Sequence, residues 1–273
     1  MDVHDALLWS TSLAAGAVGL TSLETLASLR DYGRGGVFDR AMNPVSPRLH
    51  RLGERLSIAV PSITVRGVGV MAVARAGAAV TLCVASAPAA LLAGAAVAII
   101  LLGVVQERLN SDHAGFGEQM VKVILGGATL GWLGGTDTTL RWAVWFIAAQ
   151  AALAYCAAGA FKAISPTWRS GEALWIILRL EDLGHPPAGR WLSQRVQLSK
   201  MLSWATIVWE VTFPLALIAP PWALWVWLGA GVLFHLGCSS LMGLNSFLWS
   251  FVATYPAVVF TNESIRTWLG MSG

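Results

Sequence analysis

An all-α, polytopic helical bundle embedded in a membrane is the fold class this sequence predicts, and three observations predict it. Hydrophobic residues make up 56% of the 273 residues and charged residues only 12%. A soluble domain carries about 25% charged residues, and half that fraction cannot cover a globule in water. The apolar residues fall in runs of about 20, the length that crosses a hydrocarbon core. The Lys and Arg residues between those runs are distributed one-sidedly. These features exclude an ordinary cytosolic enzyme and a disordered chain. The net charge of +3 and pI of about 9.0 read as a topological signal, and no nucleic-acid partner is expected.

About eight spans are expected, within a single transmembrane domain covering residues 1–273 and without internal repeats. The first, 6–29, follows Asp2, His4 and Asp5 with no Lys or Arg ahead of it. A secretory signal would begin with a basic stretch, so this run is expected to persist as a helix. The others are 67–86, 88–109, 117–134, 140–164, 201–219, 222–241 and 244–260. Small residues four apart (Ala90, Gly94 and Ala98; Gly127 and Gly131) predict close helix–helix approach. Within 165–200 an amphipathic helix is expected to lie in the membrane interface, capped by Ser170. Ala173, Ile176, Ile177 and Leu180 fall on one face, and Gly184, Pro186 and Pro187 end it. Trp142, Trp145, Trp222, Trp225 and Trp227 predict an aromatic belt. Cys83, Cys156 and Cys238 are far apart and lack metal-ligand spacing, so they read as small buried hydrophobes, and no metal is expected.

Simple alternation of these spans puts three polar segments, 30–61, 110–116 and 165–200, on one side. They hold Arg30, Arg34, Arg40, Arg48, Arg51, Arg55, Arg108, Arg169, Arg179, Arg190, Arg195 and Lys200, against Arg141 and Arg266 opposite. By the positive-inside rule the basic segments are cytoplasmic and both termini lie outside.

Ionisable residues within spans carry the functional expectation, because a charge at the bilayer centre costs roughly 2.5–3.5 kcal/mol or more. They are Glu24, Arg75, Glu118, Lys122, Lys162, Glu210 and His235, with Asp112 and His113 just ahead of the fourth span. Singly, each has an ordinary explanation. Arg75 is expected to pair with Glu24 or Glu210. Glu118 and Lys122 stand at i and i+4 on one helix face and would satisfy each other. Lys162 would snorkel to the interface, and His235 would be a hydrogen-bonded packing residue. As a set they imply a polar cavity, and a polar cavity in lipid implies a ligand.

Four segments in order then resemble the vitamin K-dependent γ-carboxylase family, also called the horizontally transferred transmembrane (HTTM) domain family. They are Asn110-Ser-Asp-His113, Tyr155-Cys-Ala-Ala-Gly-Ala-Phe-Lys162 with Trp168 and Gly171-Glu-Ala-Leu174, Trp209-Glu210 with Phe213-Pro214, and Phe234-His235-Leu236 with Phe247 and Tyr255-Pro256. The resemblance implies that Lys162 deprotonates a reduced quinone such as vitamin K. O2 then yields an epoxide through a strongly basic alkoxide, and CO2 adds to a glutamate carbanion. It implies His113 as the oxyanion partner, with Asp112 beside it. His235 and Glu210 would line the cavity, with Glu118, Trp209 and Arg75 as further contacts. The chain ends soon after the last span, so a short form without the family's C-terminal substrate-binding domain is expected, which favours the membrane-lipid half of that chemistry.

Two other readings compete. Acid-initiated cyclisation of a prenyl chain would use Asp112, Glu118 or Glu210 as acid and Trp204, Trp209 and Trp249 as a carbocation-stabilising wall. An accessory role in maturing a peptide toxin would make a peptide the partner and leave Lys162 and His113 dispensable.

Overall fold

The computed structural model describes residues 1–33, 64–84, 86–109, 116–181 and 184–271, and all regular structure among them is helical. Helix α1 (Val3–Ala27) starts where the Asp2 carboxylate accepts a hydrogen bond from the Val3 amide, and a 3-10 turn, Leu29–Tyr32, follows it. Next come α2 (Val65–Leu82), α3 (Ala89–Leu109), α4 (Phe116–Gly134) and α5 (Asp137–Ile164). Three short helices follow: α6 (Pro166–Ser170), α7 (Glu172–Leu178) and α8 (Pro186–Ser193). Then come α9 (Val196–Thr212), a 3-10 turn at Phe213–Leu217, α10 (Pro221–Met242), α11 (Asn245–Val252) and α12 (Tyr255–Trp268).

Among the described residues, five stretches are long and apolar enough to cross a membrane: α1, α2, Ala89–Glu107 of α3, α5 and α10. Their length and composition are those of a helical membrane protein. The remaining expected spans depart from that pattern for local reasons. Helix α4 opens with Glu118, Gln119 and Lys122 in its first two turns. Helix α9 is 17 residues long, and at Pro214 the chain tightens into the 3-10 turn. The expected span 244–260 is two helices, broken at Ala253 and Thr254 just before Pro256. Proline has no N–H to continue the ladder, and it disfavours helical geometry in the preceding residue.

Helix α1 sits centrally, packing on α2, α4, α5, α11 and α12. Half of its apolar stretch is buried, against 22% for α10 at the periphery. Its inward face is built from Ala6, Ala14, Ala15, Ala17 and Val18. The hydroxyls of Thr11, Ser22 and Thr25 donate to carbonyls one turn back. Such small, self-satisfied side chains let neighbouring backbones come close without leaving orphaned polar groups in lipid. Gly127 and Gly131 behave as expected. A Cβ there would stand 3.0 Å from Phe146 and 2.9 Å from Ala143 on α5. The other stripe does not, because Ala90 and Gly94 face outward and α3 packs through Leu92, Ala93, Ala96 and Ile99.

Polar contacts pin the two ends of the bundle. At one, the Met1 ammonium meets Glu263 at 2.9 Å, His4 meets Asp137 at 3.3 Å, and Asn262 donates to the carbonyls of Ala216 and Ala219. At the other, Asn245 donates to Glu24 at 3.1 Å. The expected interfacial helix is instead the succession α6, α7 and α8. Gly171, at φ 86°, turns the chain between α6 and α7, so close to Lys200 that a Cβ would lie 2.5 Å from its amide nitrogen. The Glu172 amide donates to Ser170 Oγ at 3.4 Å. Ala173 is buried while Ile176 and Leu180 are exposed, so the expected apolar face is divided between core and surroundings. Trp142, Trp145, Trp222 and Trp225 are exposed as a belt requires, but Trp227 packs against the core. Cys83 is exposed rather than buried, and Cys156 and Cys238 are half-buried.

Candidate functional site

Two polar layers interrupt the apolar interior. The first is built where α5 meets α9. Gly159 on α5 permits the contact, since a Cβ there would fall 2.7 Å from the Val211 amide nitrogen and 2.8 Å from Glu210 Cβ. One turn on, Lys162 Nζ donates to both carboxylate oxygens of Glu210 at 2.7 Å. Glu210 is buried, and Lys162 reaches it across the Trp168 ring, 5.2 Å from the centroid.

Two turns before Lys162, Tyr155 points into the same interior. Its hydroxyl lies 2.7 Å from His235 Nε2 on α10 and 3.3 Å from the Tyr255 hydroxyl on α12. The Tyr155 ring packs on Trp209, Phe213 and Phe251 at 4.9, 4.2 and 5.1 Å. His235 stacks on Phe251 at 4.8 Å and meets Phe247 edge-on at 4.6 Å. Trp209, whose ring packs on Tyr155, is the residue before Glu210 on α9. The ion pair and the Tyr–His–Tyr chain are therefore neighbours in one low-dielectric space, where each interaction is stronger than in water.

The second layer lies between α2, α3 and α4. Arg75 donates to Gln106 Oε1 at 2.8 Å and to both oxygens of Glu118 at 2.8 Å. Beside it Lys122 pairs with Glu107. Gly103 makes room, since a Cβ there would lie 3.5 Å from Arg75 Nη2 and from Glu118 Oε2. This corrects two expected pairings. Arg75 meets neither Glu24 nor Glu210. Glu118 and Lys122 do not satisfy each other, because neighbouring helices supply each with an opposite charge.

Lys162, Glu210, Trp209 and His235 thus come together, while Arg75 and Glu118 form a separate cluster. Trp204 and Trp249 do not line the interior. They are 40% and 42% exposed, and the Trp204 indole donates to the Arg169 carbonyl. That leaves Trp209 alone of the three in the expected aromatic wall, with its indole N–H on the Trp227 carbonyl. Asp112 and His113 lie outside the described residues. Residue-by-residue reading missed Tyr155 and Tyr255 as participants. The signal was their rarity, since the chain has 3 Tyr against 14 Trp, and two of the three lie in one hydrogen-bonded chain that ends on His235.

The Lys–Glu pair can exchange a proton without changing the net charge of the site, and the Tyr–His–Tyr chain can reverse its hydrogen-bond direction. Among the described residues no group of three or more His, Cys, Asp or Glu side chains is placed to hold a metal ion. A separate cleft of about 350 Å³ opens at the end that carries the N-terminus, lined in part by His4, Asp5, Trp132, Thr136 and Asp137. No family model matches this chain, and no curated protein or solved structure shows significant similarity to it.

Proposed function

We propose that this protein is a membrane-embedded enzyme that takes an isoprenoid lipid with a quinone-type ring and acts on its ring hydroxyl by acid–base chemistry. The observation that carries the reading is the Lys162–Glu210 pair at 2.7 Å, set beside Tyr155 and His235 in an aromatic interior. The same residues fall in the segments that resemble the γ-carboxylase and HTTM family. An aromatic-walled interior suits an apolar ring and tail, and few convergent polar groups suit a single hydroxyl.

The reaction begins with Lys162 as ammonium and Glu210 as carboxylate. A proton passes from Nζ to Glu210 along the existing hydrogen bond, leaving a neutral amine beside a neutral acid. The amine then takes the proton of the ring hydroxyl, becoming ammonium again next to the new oxyanion, which it stabilises. Each step relocates one proton inside the site. In the carboxylase-like version the oxyanion, supported by His113, reacts with O2 to give an epoxide by way of a basic alkoxide, and that alkoxide takes the γ-proton of a glutamate whose carbanion adds CO2.

Eight passes of the chain, with α9 plus its 3-10 turn and α11 plus α12 each serving as one, accommodate all the apolar runs. The basic end, with Arg169, Arg179, Arg190, Arg195 and Lys200, faces the cytoplasm by the positive-inside rule. Both termini then lie outside.

The test is turnover of a reduced prenyl-naphthoquinone by the protein in lipid nanodiscs under O2 and CO2, followed by mass spectrometry. We expect conversion by the wild type and a loss of about 100-fold or more in Lys162→Met, the scale of removing a general base. Equal conversion by Lys162→Met, or none by the wild type, overturns the reading, and a peptide-maturation role intact in Lys162→Met would replace it with the accessory one.

A further inference from the structure

His235 is fully buried, and only one of its two ring nitrogens is used. Nε2 faces the Tyr155 hydroxyl, whereas Nδ1 has no hydrogen-bond partner. The ring is held in place by Phe247 and Phe251, so neither nitrogen reaches another partner by simple rotation. A purely structural histidine in an apolar setting satisfies both nitrogens or is replaced by an apolar residue, because an orphaned buried polar atom is costly.

Tyr155 and Tyr255 make the free nitrogen adaptable. With the imidazole proton on Nε2, that nitrogen donates to Tyr155, which donates to Tyr255, and Nδ1 is left as an acceptor. With the proton on Nδ1, Nε2 accepts from Tyr155, which accepts from Tyr255, and Nδ1 is left as a donor. Both arrangements satisfy the inner chain and differ only in what they present at Nδ1.

We propose that His235 Nδ1 is the docking point for an oxygen on the ring of the lipid, accepting from a hydroxyl in one tautomer and donating to a carbonyl in the other. One site then holds the reduced and the oxidised ring alike. This rests on the reading of the substrate as a quinone-type lipid. Docking makes and breaks no covalent bond.

Gly231 supplies an independent handle. A Cβ there would stand 2.0 Å from the Tyr255 hydroxyl, so Gly231→Ala displaces that hydroxyl from the chain without deleting a polar group.

The experiment uses the full-length protein in nanodiscs with two probes, 2-methyl-1,4-naphthoquinone and its hydroquinone. Tryptophan quenching measures affinity, and 15N spectra of histidine-labelled protein, assigned with His235→Gln, report the state of Nδ1. We expect Nδ1 to be of the protonated, pyrrole type with the quinone and of the unprotonated, pyridine type with the hydroquinone. We expect His235→Phe to weaken both by about tenfold, the loss of one buried hydrogen bond, and Gly231→Ala to weaken both by a smaller factor. Binding that leaves the Nδ1 resonance unmoved, or unchanged affinity in Gly231→Ala and His235→Phe, overturns this inference alone. Where His235→Phe does not fold, the wild-type spectra and Gly231→Ala decide it. Failure of either probe to bind overturns the substrate reading and this inference with it.

Discussion

Arg75 and His235 are buried to nearly the same degree, at 3% and 0% exposure, and lie in layers built on opposite principles. Around Arg75 every charge faces an opposite charge on a neighbouring helix, with Glu118 held by two bonds from one guanidinium nitrogen and Lys122 on Glu107. That arrangement locks α2, α3 and α4 into register. Around His235 the groups are hydroxyls, an imidazole and one Lys–Glu pair that can exchange its proton. Matched fixed charges hold helices together, whereas the hydrogen bonds around Tyr155 can reverse direction; each layer keeps one buried nitrogen without a partner, Arg75 Nε and His235 Nδ1. On the function proposed above, the Arg75 layer is a structural clamp and the His235 layer a reactive centre.

The largest effect is expected at the clamp. Arg75→Ala leaves the Glu118 carboxylate buried without its cation and should cost about 3 kcal/mol or more, read as a lower thermal midpoint in detergent. The double variant Arg75→Met with Glu118→Leu should recover most of it, because no charge is then stranded. Full stability of Arg75→Ala with lost turnover would place Arg75 in the reactive centre and erase the distinction. Next comes Gly159→Ala, which pushes α9 away at the point where a Cβ would meet the Val211 amide nitrogen. We expect roughly 1–3 kcal/mol from overpacking. Unlike Arg75→Ala, it should also cost turnover in protein that remains folded, because it separates Lys162 from Glu210. The smallest effect is expected at Trp204→Phe and Trp249→Phe, both facing outward. Each should change stability by no more than about 0.5 kcal/mol and leave turnover intact. A large loss of turnover in either would restore the Trp-lined cavity of the cyclisation reading.

The helices were legible because lipid imposes one strong rule, about 20 apolar residues per crossing. The ends of α3, α4 and α5 fall within a few residues of expectation. The breaks at Pro214 and before Pro256 were visible in the sequence as prolines, but hydropathy averages across them, so 244–260 read as continuous. Pairings were less legible than helices. Glu118 and Lys122 sit at helical i, i+4 spacing, yet the rotation of α4 against α2 and α3 gives each an outside partner, and that rotation is a property of packing. Glu107 and Gln106 were overlooked because they close an otherwise apolar run. Lys162, Glu210 and His235 were individually suspect as ionisable residues in spans, but the pairing of Lys162 with Glu210 and of His235 with Tyr155 needed three dimensions. The small-residue stripes divided for the same reason: Gly127 and Gly131 meet α5, while Ala90 and Gly94 are exposed.

The distinction between clamp and reactive centre is tested most directly by where a lipid ring goes. A prenyl-naphthoquinone carrying a photoreactive diazirine on its ring, irradiated with the protein in nanodiscs and mapped by peptide mass spectrometry, reports that location. The label is expected around Trp209, Phe234 and His235 on α9 and α10, and to be competed away by the unlabelled lipid. Competable labelling concentrated instead around Arg75 and Glu118 on α2 and α4 would contradict the account.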